Sequence, residues 1–147
     1  MEKAEKTRMK VLFVCVGNSC RSPMAEAIAR RDAADVVEAS SAGLAALGFV
    51  AGPTLAVLQE RGYAVEELRS KGLRPEMYEQ ADLVINMSGR PREEIFAGCG
   101  KVQNWDVEDP YGADLEIYRR ICEDIEEKVR ELAERIRAQG SREGRRK

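Results

Sequence analysis

Cys15 stands at the end of an apolar run, with Arg21 six positions on, and the stretch between them, VGNSC, is built from small and polar residues. A thiol and a guanidinium at that spacing suit the binding of, and attack on, a tetrahedral oxyanion. The thiolate is the reactive form of cysteine, and guanidinium is a planar fork that matches two oxygens of such an anion. Gly17 and Asn18 tolerate unusual backbone dihedrals. They let the N–H groups of Val16, Gly17, Asn18, Ser19, Cys20, Arg21 and Ser22 turn inward as an anion nest. Ser22 is placed to steady the thiolate or to ease its departure from a phosphorylated intermediate. Such a route also needs a proton donor for the leaving group, one that later accepts a proton from the attacking water. Asp109, in NWDVEDPYG, is the best candidate, because Pro110 biases it to an extended conformation on a loop after a strand. Asp106 and Glu108 compete for the role.

The elements that must position these groups follow from the flanking sequence. Val11–Val14 is short, continuous and rich in β-branched residues, which predicts a buried strand ending at Cys15. Ser22-Pro23 before MAEAIA reads as a capped helix start, so the helix is expected over about 23–35 and its N-terminus faces the loop. Further on the chain predicts a strand over 36–43 and a helix over 54–61. A short helix near 75–80, a strand over 82–88, a short helix over 91–97 and a strand over 101–105 follow. A last helix is expected over 114–139, with a core-facing stripe at 115, 118, 121, 122, 125, 129, 132 and 136. Its acidic residues 123–127 read as a solvated face. Strands alternating with helices predict an α/β single domain, a four-stranded mostly parallel sheet with helices on both faces and the ligand at the strands' carboxyl ends. The domain is expected over 9–139, with a disordered extension at 1–8 and a flexible basic tail at 140–147.

Composition narrows the chemistry. The chain has 147 residues, 44% hydrophobic and 34% charged, a net charge of −2 and no histidine. Without an imidazole, Ser-His-Asp hydrolysis, His-ligated metal catalysis and phosphohistidine transfer all fall away. The four cysteines show no C-x-x-C spacing, so no metal and no cofactor are expected. Near-neutral charge gives no field for nucleic acid or anionic lipid. The absence of an apolar leader segment points to the cytoplasm, where the cysteines stay as thiols. Cys20 reads as packing the loop, with a Cys15–Cys20 disulfide under oxidants as the minor reading, and Cys122 reads as core.

C-V-G-N-S-C-R-S-P with a distal D-P-Y-G closely resembles the low-molecular-weight protein tyrosine phosphatases, from about Met9 to Ile136. The resemblance implies that Cys15 is the nucleophile, Arg21 the ligand of phosphate and transition state, and Asp109 general acid then base. It also places Asn18, Ser22 and Ser41 in the hydrogen-bond network that shapes the loop. Departures bear on substrate. Where relatives carry aromatics to stack a phenyl ring, this chain has Leu44-Ala-Ala-Leu47-Gly-Phe49 and Gly112, leaving Tyr111, with Leu47 or Phe49, as the wall. A histidine that many members place before an R-S pair is Leu68 here. Ser19 matches the small hydroxyl residue of protein-arginine phosphatases rather than the bulky apolar residue of phosphotyrosine enzymes.

The implied function is metal-free hydrolysis of phosphotyrosine, or of phosphoarginine, on a phosphorylated protein through a cysteinyl-phosphate. Arsenate reductases coupled to thioredoxin or glutaredoxin share the loop, since arsenate mimics phosphate, and form the first alternative. Their relay cysteines follow the third strand, where this chain has Met87-Ser88-Gly89, and Cys99 is the sole thiol in that region. A catalytically silent oxyanion-binding module is the second alternative.

Overall fold

The computed structural model describes the backbone of residues 8–146 and the side chains of residues 8–140. The elements run β1 (Met9–Cys15), α1 (Arg21–Asp32), β2 (Val37–Gly43), α2 (Gly52–Glu60) and α3 (Pro75–Gln80), then β3 (Leu83–Asn86), α4 (Arg92–Ile95), β4 (Val102–Asn104) and α5 (Leu115–Arg146). All strand pairs are parallel, and the sheet order is β2-β1-β3-β4. β1 is therefore central, and alternate residues feed two different cores. Val11, Phe13 and Cys15 face a large cluster with Met24 and Ile28 of α1, Val57 and Leu58 of α2, and Ile125 and Val129 of α5. Leu12 and Val14 face a smaller one with Val84, Phe96 and Val102, flanked by Met77 and Tyr78 of α3. Helices thus cover both faces, as the strand–helix alternation predicts.

The order of the strands locates the site. From β1 the chain crosses to β2 on one side and afterwards to β3 on the other, so a crevice opens at the carboxyl end of β1. Cys15 lies there, in register with Gly43, while Val14 pairs with Asn86.

Several boundaries differ from those read off the sequence, for local reasons. α1 begins at Arg21 with Cys20 as its cap and no side-chain capping bond, because the Ser22 hydroxyl is turned to Cys15 and Asn18 instead. β3 stops at Asn86 rather than at 88, since the Asn86 carbonyl oxygen Oδ1 accepts from both the N–H and the hydroxyl of Ser88 and curls the chain. Along α5, Tyr118, Ile121, Cys122, Ile125, Val129 and Leu132 are buried as the stripe requires, but Leu115, at the open end of the helix, is exposed. Glu126 leaves the expected solvated face: its side chain is 19% exposed and bonded to Arg61 and Tyr63. The helix continues through the predicted tail to Arg146, with nothing in SREGRR that stops it. Residues 1–7 of the predicted extension lie outside the described residues, and Arg8 already reaches Ala34 and Glu38.

Candidate active site

The loop from Val16 to Cys20 is set by Asn18. Its φ of 48° is the chain's positive value outside glycine among the described residues, a conformation that asparagine adopts more readily than most. The Lys71 backbone N–H donates to Asn18 Oδ1 at 2.7 Å, which fixes the amide's orientation. Asn18 Nδ2 then donates to Ser22 Oγ at 2.8 Å and to Ser41 Oγ at 3.0 Å. Ser22 accepts from Asn18 and keeps its own hydrogen for Cys15 Sγ, 3.0 Å away. The Ser22 backbone N–H also points to the sulfur, at 3.4 Å. A thiolate at Cys15 is therefore met by two donors at the N-terminus of α1, where the helix dipole adds to them.

Arg21 is buried and clamped from behind. Its Nη1 donates to the carbonyls of Met87 (2.6 Å) and Val107 (3.2 Å), which come from the ends of β3 and of the segment after β4. Nη2 lies 3.6 Å from Asp109 Oδ2. Two buried side-chain polar atoms have no partner among the described residues, Arg21 Nε and Ser19 Oγ. An unpartnered buried donor is costly, and both residues line the same cavity of about 250 Å³ with Cys15, Val16, Gly17, Cys20, Ala45, Leu47, Asp109 and Tyr111. The cavity is a cradle with donors waiting for acceptors, which is what an oxyanion supplies.

The nucleophile, guanidinium and carboxylate picked from sequence are thus brought together. Asp109 is half exposed at the cavity and accepts from the Tyr111 N–H at 3.1 Å, an Asx turn preceding proline that aims the carboxylate inward. Its competitors are elsewhere: Glu108 pairs with Arg120, and Asp106 lines a separate cavity with Arg90 and Trp105. Tyr111 and Leu47 form the wall, whereas Phe49, 52% exposed, lies outside the cavity lining. Cys20 Sγ is 3.5 Å from the Tyr118 hydroxyl, and burial pushes its thiol up despite that bond. Burial pushes Cys122 up to about 12, in keeping with its place in the core. Leu68 is buried in the core, and it is the Lys71 N–H that tethers Asn18. No group of three or more metal-ligating side chains occurs among the described residues.

Several contributors were not visible beforehand. A Cβ on Gly43 would lie 2.7 Å from the Asn18 nitrogen and the Val16 carbonyl oxygen, so the end of β2 is part of the loop's mould. A glycine closing a strand is a faint signal of such an approach. Thr54 of α2, fully buried, donates to the Ser19 carbonyl at 3.0 Å. The Ser70 hydroxyl donates to the Gly17 carbonyl and accepts from the Gly48 N–H. Glu26 of α1, which no motif in the sequence singles out, is buried behind Ser41.

Known proteins carry the same frame. The family described as low molecular weight phosphotyrosine protein phosphatase matches residues 10–142. A probable low molecular weight protein-tyrosine-phosphatase, EpsP of Ralstonia nicotianae, is 34% identical, covering 88% of this chain and 97% of its own. A glutaredoxin arsenate reductase of Synechocystis is 33% identical over 86% of this chain and 98% of its own. Among solved structures, the YwlE arginine phosphatase of Geobacillus stearothermophilus superposes with a TM-score of 0.81 at 30% identity, covering 89% of this chain and 94% of that one. The chain belongs to the low molecular weight phosphotyrosine protein phosphatase family of enzymes.

Proposed function

We propose that this chain hydrolyses phosphorylated side chains of proteins through a cysteinyl-phosphate, with Cys15 as nucleophile. The observation that carries the reading is the convergence on one cavity of Cys15 Sγ under two Ser22 donors, the unpartnered Arg21 Nε, and the Asp109 carboxyl. The thiolate attacks phosphorus, the P–O or P–N bond to the side chain breaks, and the Asp109 acid gives its proton to the leaving atom. Asp109, now a carboxylate, takes a proton from water as that water attacks the phosphocysteine. The P–S bond breaks, inorganic phosphate leaves, and Ser22 receives the thiolate. The nest and Arg21 follow the equatorial oxygens as phosphorus becomes trigonal bipyramidal, so their bonds are best formed in the transition state.

Between substrates, phosphoarginine is favoured by Ser19 and phosphotyrosine by Tyr111. The Ser19 hydroxyl is small, buried and unpartnered at the cavity, which leaves width and a polar contact beside the loop. Tyr111 is a single aromatic face for a phenyl ring. Reduction of arsenate is the weaker reading, because Cys99 packs against the smaller core on the opposite face of the sheet from Cys15. The free thiols at Cys15, Cys20, Cys99 and Cys122 fit work in the reducing cytoplasm.

The test is phosphate release from a phosphotyrosine peptide and a phosphoarginine peptide by reduced protein in EDTA, with Cys15→Ser alongside. Release from either peptide, lost in the variant, supports the reading. Release that persists in Cys15→Ser, or none from either peptide, overturns it.

A further inference from the structure

Glu26 is a carboxylate with 2% exposure on the sheet-facing side of α1, and nothing in the chemistry above uses it. A charge taken out of water at such cost calls for a partner. Two groups meet it: the Ser41 hydroxyl donates to Oε1 at 2.5 Å, and the Arg30 guanidinium, one turn on and 41% exposed, pairs with Oε2. Lys71 contributes at longer range, its half-buried ammonium pushed down by burial and partly restored by the charge of Glu26.

From Glu26 a continuous series of hydrogen bonds reaches the nucleophile, through Ser41, Asn18 and Ser22 to Cys15 Sγ. Its direction matters. An ionised carboxylate only accepts, so Ser41 must give it the hydroxyl hydrogen and receive one from Asn18 Nδ2. The second Nδ2 hydrogen then goes to Ser22, and the Ser22 hydrogen is left for sulfur. A neutral group in place of that carboxylate could donate to Ser41, turning its hydroxyl toward the Asn18 amide. The amide could relieve that clash only by flipping against the Lys71 N–H held at Oδ1. The Glu26 carboxylate at Ser41 and the Lys71 N–H at Asn18 thus act from two sides to keep the amide donating to Ser22, which leaves Ser22 a hydrogen rather than a lone pair for the sulfur.

We propose that Glu26, held in place by Arg30, is a positioning residue that, with the Lys71 N–H, fixes the direction of the Ser41–Asn18–Ser22 series and so aims the Ser22 hydrogen at Cys15. The catalytic consequence rests on the phosphatase reading, while the effect on the thiol does not. Ser22 donation favours thiolate both as attacker and as leaving group. Loss of it lowers kcat with little effect on ground-state anion affinity, which belongs to the nest and Arg21.

The experiment compares Glu26→Gln, Arg30→Met and Arg30→Lys with the parent, each checked for native near-ultraviolet circular dichroism. In Glu26→Gln and Arg30→Met, kcat falls about tenfold, the weight of one charge-assisted hydrogen bond, and the inhibition constant of inorganic phosphate stays within about threefold. Hydrolysis of the phosphocysteine slows, so the burst of leaving group in rapid mixing grows, and Arg30→Lys recovers most of the parent rate. A kcat within twofold of the parent in folded Glu26→Gln would overturn the proposal. So would equal loss of kcat and phosphate affinity, or Arg30→Lys no better than Arg30→Met. The rate of Cys15 alkylation by iodoacetamide, read from the Cys15 peptide by mass, needs no phosphatase activity. It drops about tenfold in Glu26→Gln, and an unchanged rate would refute the proposal even if the phosphatase reading itself failed.

Discussion

Arg21→Lys separates charge from geometry at the centre of the site. The native guanidinium spends Nη1 on the carbonyls of Met87 and Val107 and keeps Nε unpartnered, with Nη2 loosely beside Asp109. The Nε–Nη2 edge is therefore free for two bonds to an oxyanion while the opposite side stays anchored. A lysine retains the positive charge, but its single ammonium cannot hold the two carbonyls and grip two oxygens together. Two charge-assisted hydrogen bonds, at about 1.5–3 kcal/mol each, amount to about 3–6 kcal/mol. At 1.36 kcal/mol per tenfold, kcat/KM should fall by about 10²–10⁴. The loss should not be uniform. Inorganic phosphate resembles the ground state, whereas vanadate takes up the five-coordinate geometry of the transition state. Steady-state kinetics with the peptide that proves active, and inhibition constants for both anions, provide the assay. Vanadate inhibition should weaken in step with kcat/KM and phosphate inhibition by clearly less. A drop in kcat/KM below tenfold, or equal weakening of the two anions, would refute the assignment of Nε and Nη2 to the transition state.

Asp109→Asn should lower turnover by about 10²–10⁴-fold, the usual weight of general acid–base catalysis. The loss should be steeper for substrates with poor leaving groups, and an unchanged rate across a leaving-group series would move the role to another carboxylate. Gly43→Ala puts a methyl group against the backbone of Val16 and Asn18. It should cost about 1–3 kcal/mol of stability in urea unfolding and leave a folded enzyme with phosphate affinity greatly reduced. Burial tends to push Glu126 up, but bonds from Arg61 and the Tyr63 hydroxyl outweigh it and hold the carboxyl below the ordinary range. Its contribution to stability is thus present above the unfolded value of about 4.3 and is lost as pH falls through the lower folded value. The gap in Tm between the parent and Glu126→Gln should be open at pH 7 and narrow as the pH falls below the unfolded value of about 4.3, and a gap that stays constant through acid pH would contradict the assignment.

How much of this was legible in the sequence depends on whether a residue's job is local. Cys15, Gly17, Asn18 and Arg21 announce themselves because their types and spacing already encode a loop that closes on an anion, and the strand before them has no other use for five consecutive buried positions. Asp109 was legible to the extent that proline fixes its backbone, while the choice against Glu108 needed the fold, which sends that carboxylate to Arg120. Gly43, Thr54 and Lys71 were not legible, since each acts on the loop from a distant segment and two of them act on backbone atoms that carry no residue identity. Glu26 is the instructive failure. In sequence, Glu26 and Arg30 are an i,i+4 pair of the kind that decorates exposed helix faces and contributes a few tenths of a kcal/mol. In the fold, only Arg30 reaches the surface, and the carboxylate is enclosed against β2. The difference arises because α1 must lie flat on the sheet to present its N-terminus to Cys15, burying nine consecutive residues from Arg21 to Ala29 where a surface helix would bury a stripe. A helix that serves as the back wall of an anion site cannot spare a polar face. Charges that remain inside it are therefore candidates for wiring rather than for solubility.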